Sequence, residues 1–169
     1  TRLHLGKDPA PPAHLPLAEL PTSAAAPVPV PAASTDDPSI TKRERALLDV
    51  IRAQLSPAAA KRVADLGGML SLRELAALTA RARLFVGVDS APMHIAAAVG
   101  TPVVALFGPS SEIAWGPWRV PSRVVTSAHP CRPCGLDGCG GSKVSECLTT
   151  LPVERVHAAV RELLADTVS

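Results

Sequence analysis

The segment LFVGVDSAPMHIAAAVGTPVVALFGPSS, residues 84–111, decides the fold. Its two apolar runs, LFVGV at 84–88 and VVALF at 103–107, lack the alternation of a half-exposed strand and predict strands covered on both faces. Between them, Pro92 stands where a first helical turn tolerates a missing amide, and Gly100 where a helix ends in left-handed backbone. Strand, helix and strand in so short a span form a βαβ unit, which implies an α/β class, a parallel sheet and a right-handed crossover.

Upstream, the spacing changes to that of helices. Thr41 and Glu44 form a capping-box signature ahead of Leu47, Val50, Ile51 and Leu55, predicting a helix over 42–54. Ser56 and Pro57 open a short Ala-rich helix that ends before the break at 65–68. Ser71 and Glu74 repeat the capping box, and Leu72, Leu75, Leu78 and Ala82 predict a buried stripe on the helix that follows. Downstream come a third short strand near 123–126, a Cys/Gly loop at 130–147, and a helix over 153–165 with Val156, Val160, Leu163 and Leu164 on one side.

Half of the 18 prolines fall in the first 38 residues, in runs such as PAPP at 9–12 and PVPVP at 27–31. Proline removes a donor and fixes φ, so residues 1–38 are expected to be a Pro/Ala-rich linker or disordered segment, with the folded domain at 39–169. No internal repeat is visible.

At 169 residues the chain is long enough for one real core and short for two domains. A net charge of +2 leaves no electrostatic footprint for nucleic acid, and 2% aromatic residues with no Tyr removes the stacking platforms of single-strand readers, so no nucleic-acid partner is expected. No apolar run is long enough to span a bilayer, and the chain does not open with a basic segment leading into an apolar one. The expectation is a cytoplasmic protein.

In an open parallel sheet, ligands bind beyond the carboxyl ends of the strands, where helix N-termini direct amides at anions. DSAPMH puts Asp89, Ser90 and Ala91 at one such end, with His94 one helical turn behind. Amides and helix dipole suit a diphosphate, Ser90 can donate to it, and Asp89 can accept from a sugar hydroxyl. The plainer alternative makes Asp89 and Ser90 helix caps and His94 a core histidine. FGPSS at 107–111 adds a second polar strand end: Gly108 permits close backbone approach, and Ser110 and Ser111 can open another helix terminus onto the same crevice. Trp115 and Trp118 read as packing residues that seal a loop rather than as sugar platforms, although an aromatic face beside a sugar pocket is chemically sensible, and they are left out of the site.

Residues 66–110, from LGGMLSLRELAALTARARLFVGVDSAPMHIAAAVGTPVVALFGPS, together with WGPW at 115–118, resemble the donor-binding domain of glycosyltransferase family 9, the lipopolysaccharide heptosyltransferases. HPCRPCGLDGCGGSKVSECL at 129–148 is similar to the members called heptosyltransferase III or Q. The resemblance covers roughly residues 41–165 and implies a Rossmann-like parallel sheet, the C-terminal half of a GT-B glycosyltransferase. It further implies transfer of a heptose from ADP-heptose to the lipopolysaccharide inner core, with inversion and without a required metal, and peripheral association with the cytoplasmic face of the inner membrane. By the same resemblance Asp89 contacts the donor heptose, Ser90 and Ala91 hold diphosphate or sugar, His94 lines the pocket, and Glu44 stands at a position associated with the adenosine ribose. Glu44 is equally explained as a capping-box residue.

The transfer needs a base for the acceptor hydroxyl and dipolar or positive groups for the departing diphosphate. Amides after Ser90 and Ser110 meet the second need. The family's base is an aspartate near the start of the N-terminal domain, so the catalytic base is unknown here and expected in the other half. The family's phosphate-facing lysine segment is also unmatched, because Lys7 and Lys42 do not fit its motif. The expectation is a fragment, or a product truncated or rearranged at its N-terminus, that binds donor weakly and catalyses nothing alone.

Cys131, Cys134, Cys139 and Cys147 have the spacing C-x2-C-x4-C-x7-C. The reading taken is reduced structural thiols with no cofactor, and the alternative is four thiolates closing a tetrahedral structural zinc site. Three rivals to the transferase remain: a non-catalytic nucleotide-sugar-binding fragment, a zinc-stabilised Cys-loop interaction domain, and a GT-B relative with other chemistry such as an epimerase.

Overall fold

The computed structural model describes residues 42–142 and 144–167. The Pro/Ala-rich segment and Thr41, with its half of the first capping box, lie outside the described residues. Eleven short elements follow in chain order: α1 (Lys42–Ala53), α2 (Pro57–Ala60), α3 (Leu72–Ala80), β1 (Phe85–Val88), α4 (Ala91–Ala98), β2 (Val103–Phe107), α5 (Glu112–Trp115), β3 (Ser122–Thr126), a 3-10 turn (Cys139–Gly141), α6 (Glu146–Thr149) and α7 (Val153–Asp166). The strands form one parallel sheet in the order β1-β2-β3.

β2 is the centre of the molecule. Its alternate residues point to opposite faces, and each face has its own helix. Val103, Ala105 and Phe107 join Met93 and Ala96 of α4 in one apolar cluster, with Phe85 packed against it. Val104 joins Val125 of β3 and Ala159 and Leu163 of α7 in the other. Val103, Val104, Ala105, Phe107, Met93 and Leu163 are fully buried, so the unalternated run in β2 is read correctly as a strand covered on both sides.

β1 departs from that reading. Its residues alternate between half-buried and exposed, with Val86 42% and Val88 44% accessible. The parallel register sets Val86 beside Val104, on the face that α7 covers. α7 lies over β2 and β3, so β1 extends past its cover among the described residues.

The helix starts obey local chemistry. The Ser71 hydroxyl accepts from the Glu74 amide at 3.3 Å, and the Glu74 carboxylate accepts in return from the Ser71 amide at 2.8 Å, completing the expected capping box. Ser56 caps α2 in the simpler way, its hydroxyl accepting from the Ala59 amide at 3.2 Å. The buried side of α3 differs from the expected stripe. Leu72 and Leu78 are exposed, while Thr79 is buried and Leu75 and Ala76 are half-buried. α3 is aligned by a buried polar tie that hydropathy does not register: the Thr101 hydroxyl donates to the Thr79 carbonyl at 2.8 Å. In α1, Leu47, Val50 and Ile51 are exposed, and its ties run through Arg45 and Arg52 to Asp65 at 3.1 and 3.4 Å. The Gly67 amide first, against the effect of burial and aided by the two guanidiniums, holds the Asp65 carboxyl below its ordinary range.

Candidate site at the strand ends

β1 and β2 are adjacent and parallel, so their carboxyl ends open side by side. The Asp89 amide donates to the Leu106 carbonyl at 3.3 Å, which extends the ladder one residue and fixes Asp89 against the end of β2. The chain then turns into α4 through Ser90, whose backbone is extended (φ −162°) and whose hydroxyl donates back to the Val88 carbonyl at 3.2 Å. Ser90 therefore occupies the cap position without a side-chain cap bond, and its oxygen retains acceptor capacity toward a ligand.

Within the first turn of α4, Pro92 has no N–H and the Met93 amide is bonded to the Ser90 carbonyl at 3.0 Å. The Ala91 amide opens the helix, at the positive end of the helix dipole. His94 follows with Nε2 3.4 Å from Asp89 Oδ1. Its side chain is 44% exposed and that of Asp89 18%. The core-histidine alternative does not describe such an imidazole: it lies at the surface, aligned by a carboxylate, where either group can exchange hydrogen bonds with a sugar.

The second strand end is differently built from its expectation. Gly108 is buried, and a Cβ there would stand 2.5 Å from Leu148 Cγ of α6, so glycine is required by protein packing. Ser110 and Ser111 are half-buried and lead into α5, which is one turn long and too short to carry a full helix dipole. Glu44 lies on α1, in the element tied to Asp65. The strand-end group comprises Asp89, Ser90, Ala91 and His94, with Gly108 and Ser110 at the neighbouring strand end.

Two residues that sequence reasoning left aside join this group. The Trp115 ring stands at a steep 72° to His94, centroids 6.5 Å apart. Arg132 reaches in from the Cys loop: its side chain is 8% exposed, Nε donates to the Gly108 carbonyl at 2.7 Å, and a terminal nitrogen meets Glu112 at 3.0 Å. The Cys134 and Gly135 amides both donate to the Pro109 carbonyl, at 3.0 and 2.8 Å. The Cys loop is thus fastened to the strand end. Its thiols are unpaired, with Cys147 buried and Cys134 exposed. His129 Nδ1 lies 3.0 Å from Cys131 Sγ, and burial, followed by the neighbouring Cys134 thiol, pushes the Cys131 pKa up. Among the described residues no three His, Cys, Asp or Glu side chains are gathered to hold a metal ion.

A parallel sheet with helices on both faces and polar groups gathered at its strand ends defines a Rossmann-like α/β domain. The structure resembles ADP-heptose lps heptosyltransferase II of E. coli with a TM-score of 0.59 at 25% identity, covering 76% of this chain and 36% of that one. It resembles the glycosyl transferase family 9 structure from Veillonella parvula with a TM-score of 0.51 at 25% identity, covering 74% and 35%. The family profile described as glycosyltransferase family 9 (heptosyltransferase) matches residues 39–144, and the chain belongs to that family. Lipopolysaccharide heptosyltransferase 3 of Escherichia coli is 55% identical over 56 residues, 33% of this chain and 16% of its own length. Lipooligosaccharide heptosyltransferase 2 of Campylobacter jejuni is 29% identical over 107 residues, 63% of this chain and 33% of its own length. The chain spans a third or less of these curated relatives.

Proposed function

We propose that this chain is the donor-binding portion of a heptosyltransferase, taking ADP-heptose as donor for transfer to the lipopolysaccharide inner core. The observation that carries the reading is the joining of Asp89, Ser90 and His94 at the opening of α4, beside the end of β2, in a member of this family. The Ala91 amide and the α4 dipole receive the diphosphate, while Asp89 and His94 take hydroxyls of the sugar. As the bond from sugar to phosphate breaks, charge grows on the diphosphate, and fixed dipoles at α4 stabilise it without rearranging. The base for the acceptor hydroxyl belongs to the remainder of the transferase, as does the lipid-linked acceptor. The proposed setting is the cytoplasmic face of the inner membrane; no described helix is long and apolar enough to cross a bilayer.

Calorimetric titration of the chain with ADP-heptose, with UDP-glucose as the control ligand, tests this. Selective binding of ADP-heptose, weakened about tenfold or more in Asp89→Ala and His94→Ala, is expected for lost charge-assisted hydrogen bonds. Equal binding of the two nucleotide sugars, or none of either, overturns the reading.

A further inference from the structure

A single helical turn has no stability of its own, so the place of α5 must be set by its neighbours. Glu112, its first residue, is paired with Arg132, which is itself bonded to the Gly108 carbonyl. The Trp115 amide closes the turn on the Ser111 carbonyl at 3.0 Å. Gly116 then leaves the turn where a Cβ would lie 2.7 Å from the Glu112 carbonyl oxygen, so no other side chain fits without movement. These restraints hold the Trp115 indole beside His94 while leaving it 58% exposed.

An exposed indole normally forgoes a large gain from burial, and a steep contact with one imidazole covers little of its surface. Trp118 makes an instructive contrast. It is 71% exposed, but the Arg119 guanidinium sits 5.2 Å over its ring and occupies a face. No cation stands over Trp115 among the described contacts, and the groups beyond it are His94 and, through His94, Asp89. A sugar ring has the matching chemistry: hydroxyls at its edge for the Asp89–His94 pair, and a face of C–H groups for the indole.

Building on the donor reading above, we infer that Trp115 is a specificity-determining residue that stacks on the C–H face of the transferred sugar. The nucleotide diphosphate lies toward Ala91 and Ser90, away from this contact. Trp115 therefore separates a nucleotide sugar from the bare nucleotide, and α5 with its Arg132 brace is the device that keeps the indole in position.

The test is titration of the chain and of Trp115→Ala, Trp115→Phe and Trp118→Ala with two probes, ADP-heptose and ADP. The expected result is that W115A weakens ADP-heptose about tenfold, in the range of one aromatic contact, and leaves ADP unchanged. W115F retains most of the difference, and W118A behaves as the unaltered chain. Equal weakening of both probes by W115A, or no effect on either, overturns the inference while leaving the donor reading standing. Failure of the unaltered chain to bind either probe overturns both.

Discussion

Arg132 shows how much one side chain can decide. It is nearly buried, and its charge is met by the Gly108 carbonyl and the Glu112 carboxylate. Removing such a group leaves its acceptors unpaired, which costs more than the pair itself contributes. Arg132→Ala is expected to lose about 2 kcal/mol in urea unfolding, and Arg132→Lys to recover only part, because an ammonium cannot reproduce the planar fork. A substitution without effect on the unfolding midpoint would contradict the bracing role. Nothing in the sequence around Arg132 announced this, since it stands in a Cys/Pro loop and its partners lie 20 and 24 residues earlier. Asp89 and His94 were legible because they stand five positions apart at one strand–helix junction that brings them together. Trp115 was not, because its meeting with His94 depends on the register of two strands.

At the scale of the element, the caps of α2 and α3 were legible, since each is written in four consecutive residues. Hydrogen bonds from the Ser71 hydroxyl and then the Ser71 amide lower the Glu74 pKa from the ordinary carboxylate value. The sign follows from linkage: the carboxylate is favoured in the folded state, so its contribution is complete above the ordinary carboxylate range and is lost as pH falls through the lowered value. Ser71→Ala is expected to cost about 1 kcal/mol near neutrality. Between pH 6 and pH 3, Glu74→Gln should show a shallower decline in chemical-denaturation stability than the unaltered chain. Parallel declines would remove the carboxylate from that role. The apolar stripe of α3 was misread for a physical reason. Leucines at helical spacing report an available face, whereas the face actually buried is chosen by the neighbour, here by the Thr101 tie to Thr79.

The molecule as a whole is organised around β2, and this much was readable: a central strand with no polar residue needs cover on both sides, and α4 and α7 supply it. The same rule applied to β1 failed, because an apolar run reports how a strand is buried in its complete surroundings. The uncovered Val86 and Val88, with the exposed Leu47, Val50 and Ile51 of α1, mark where the described residues leave apolar surface unshared. The aligned stretches cover 16% and 33% of the curated relatives' own length.

The edge of β1 carries a clock. The Phe85 amide donates to Pro102 and the Asp89 amide to Leu106, so in parallel pairing the amides of Phe85, Gly87 and Asp89 face β2 while those of Val86 and Val88 face away. Deuterium should accordingly enter this strand with a two-residue beat, fast at 86 and 88 and slow at 85, 87 and 89, as read by amide exchange in NMR spectra. Uniform protection along the strand would mean that something else pairs with it. Any segment that adds a strand along β1 would then be heard as the silencing of two amides, an assay of strand addition that needs neither donor nor acceptor.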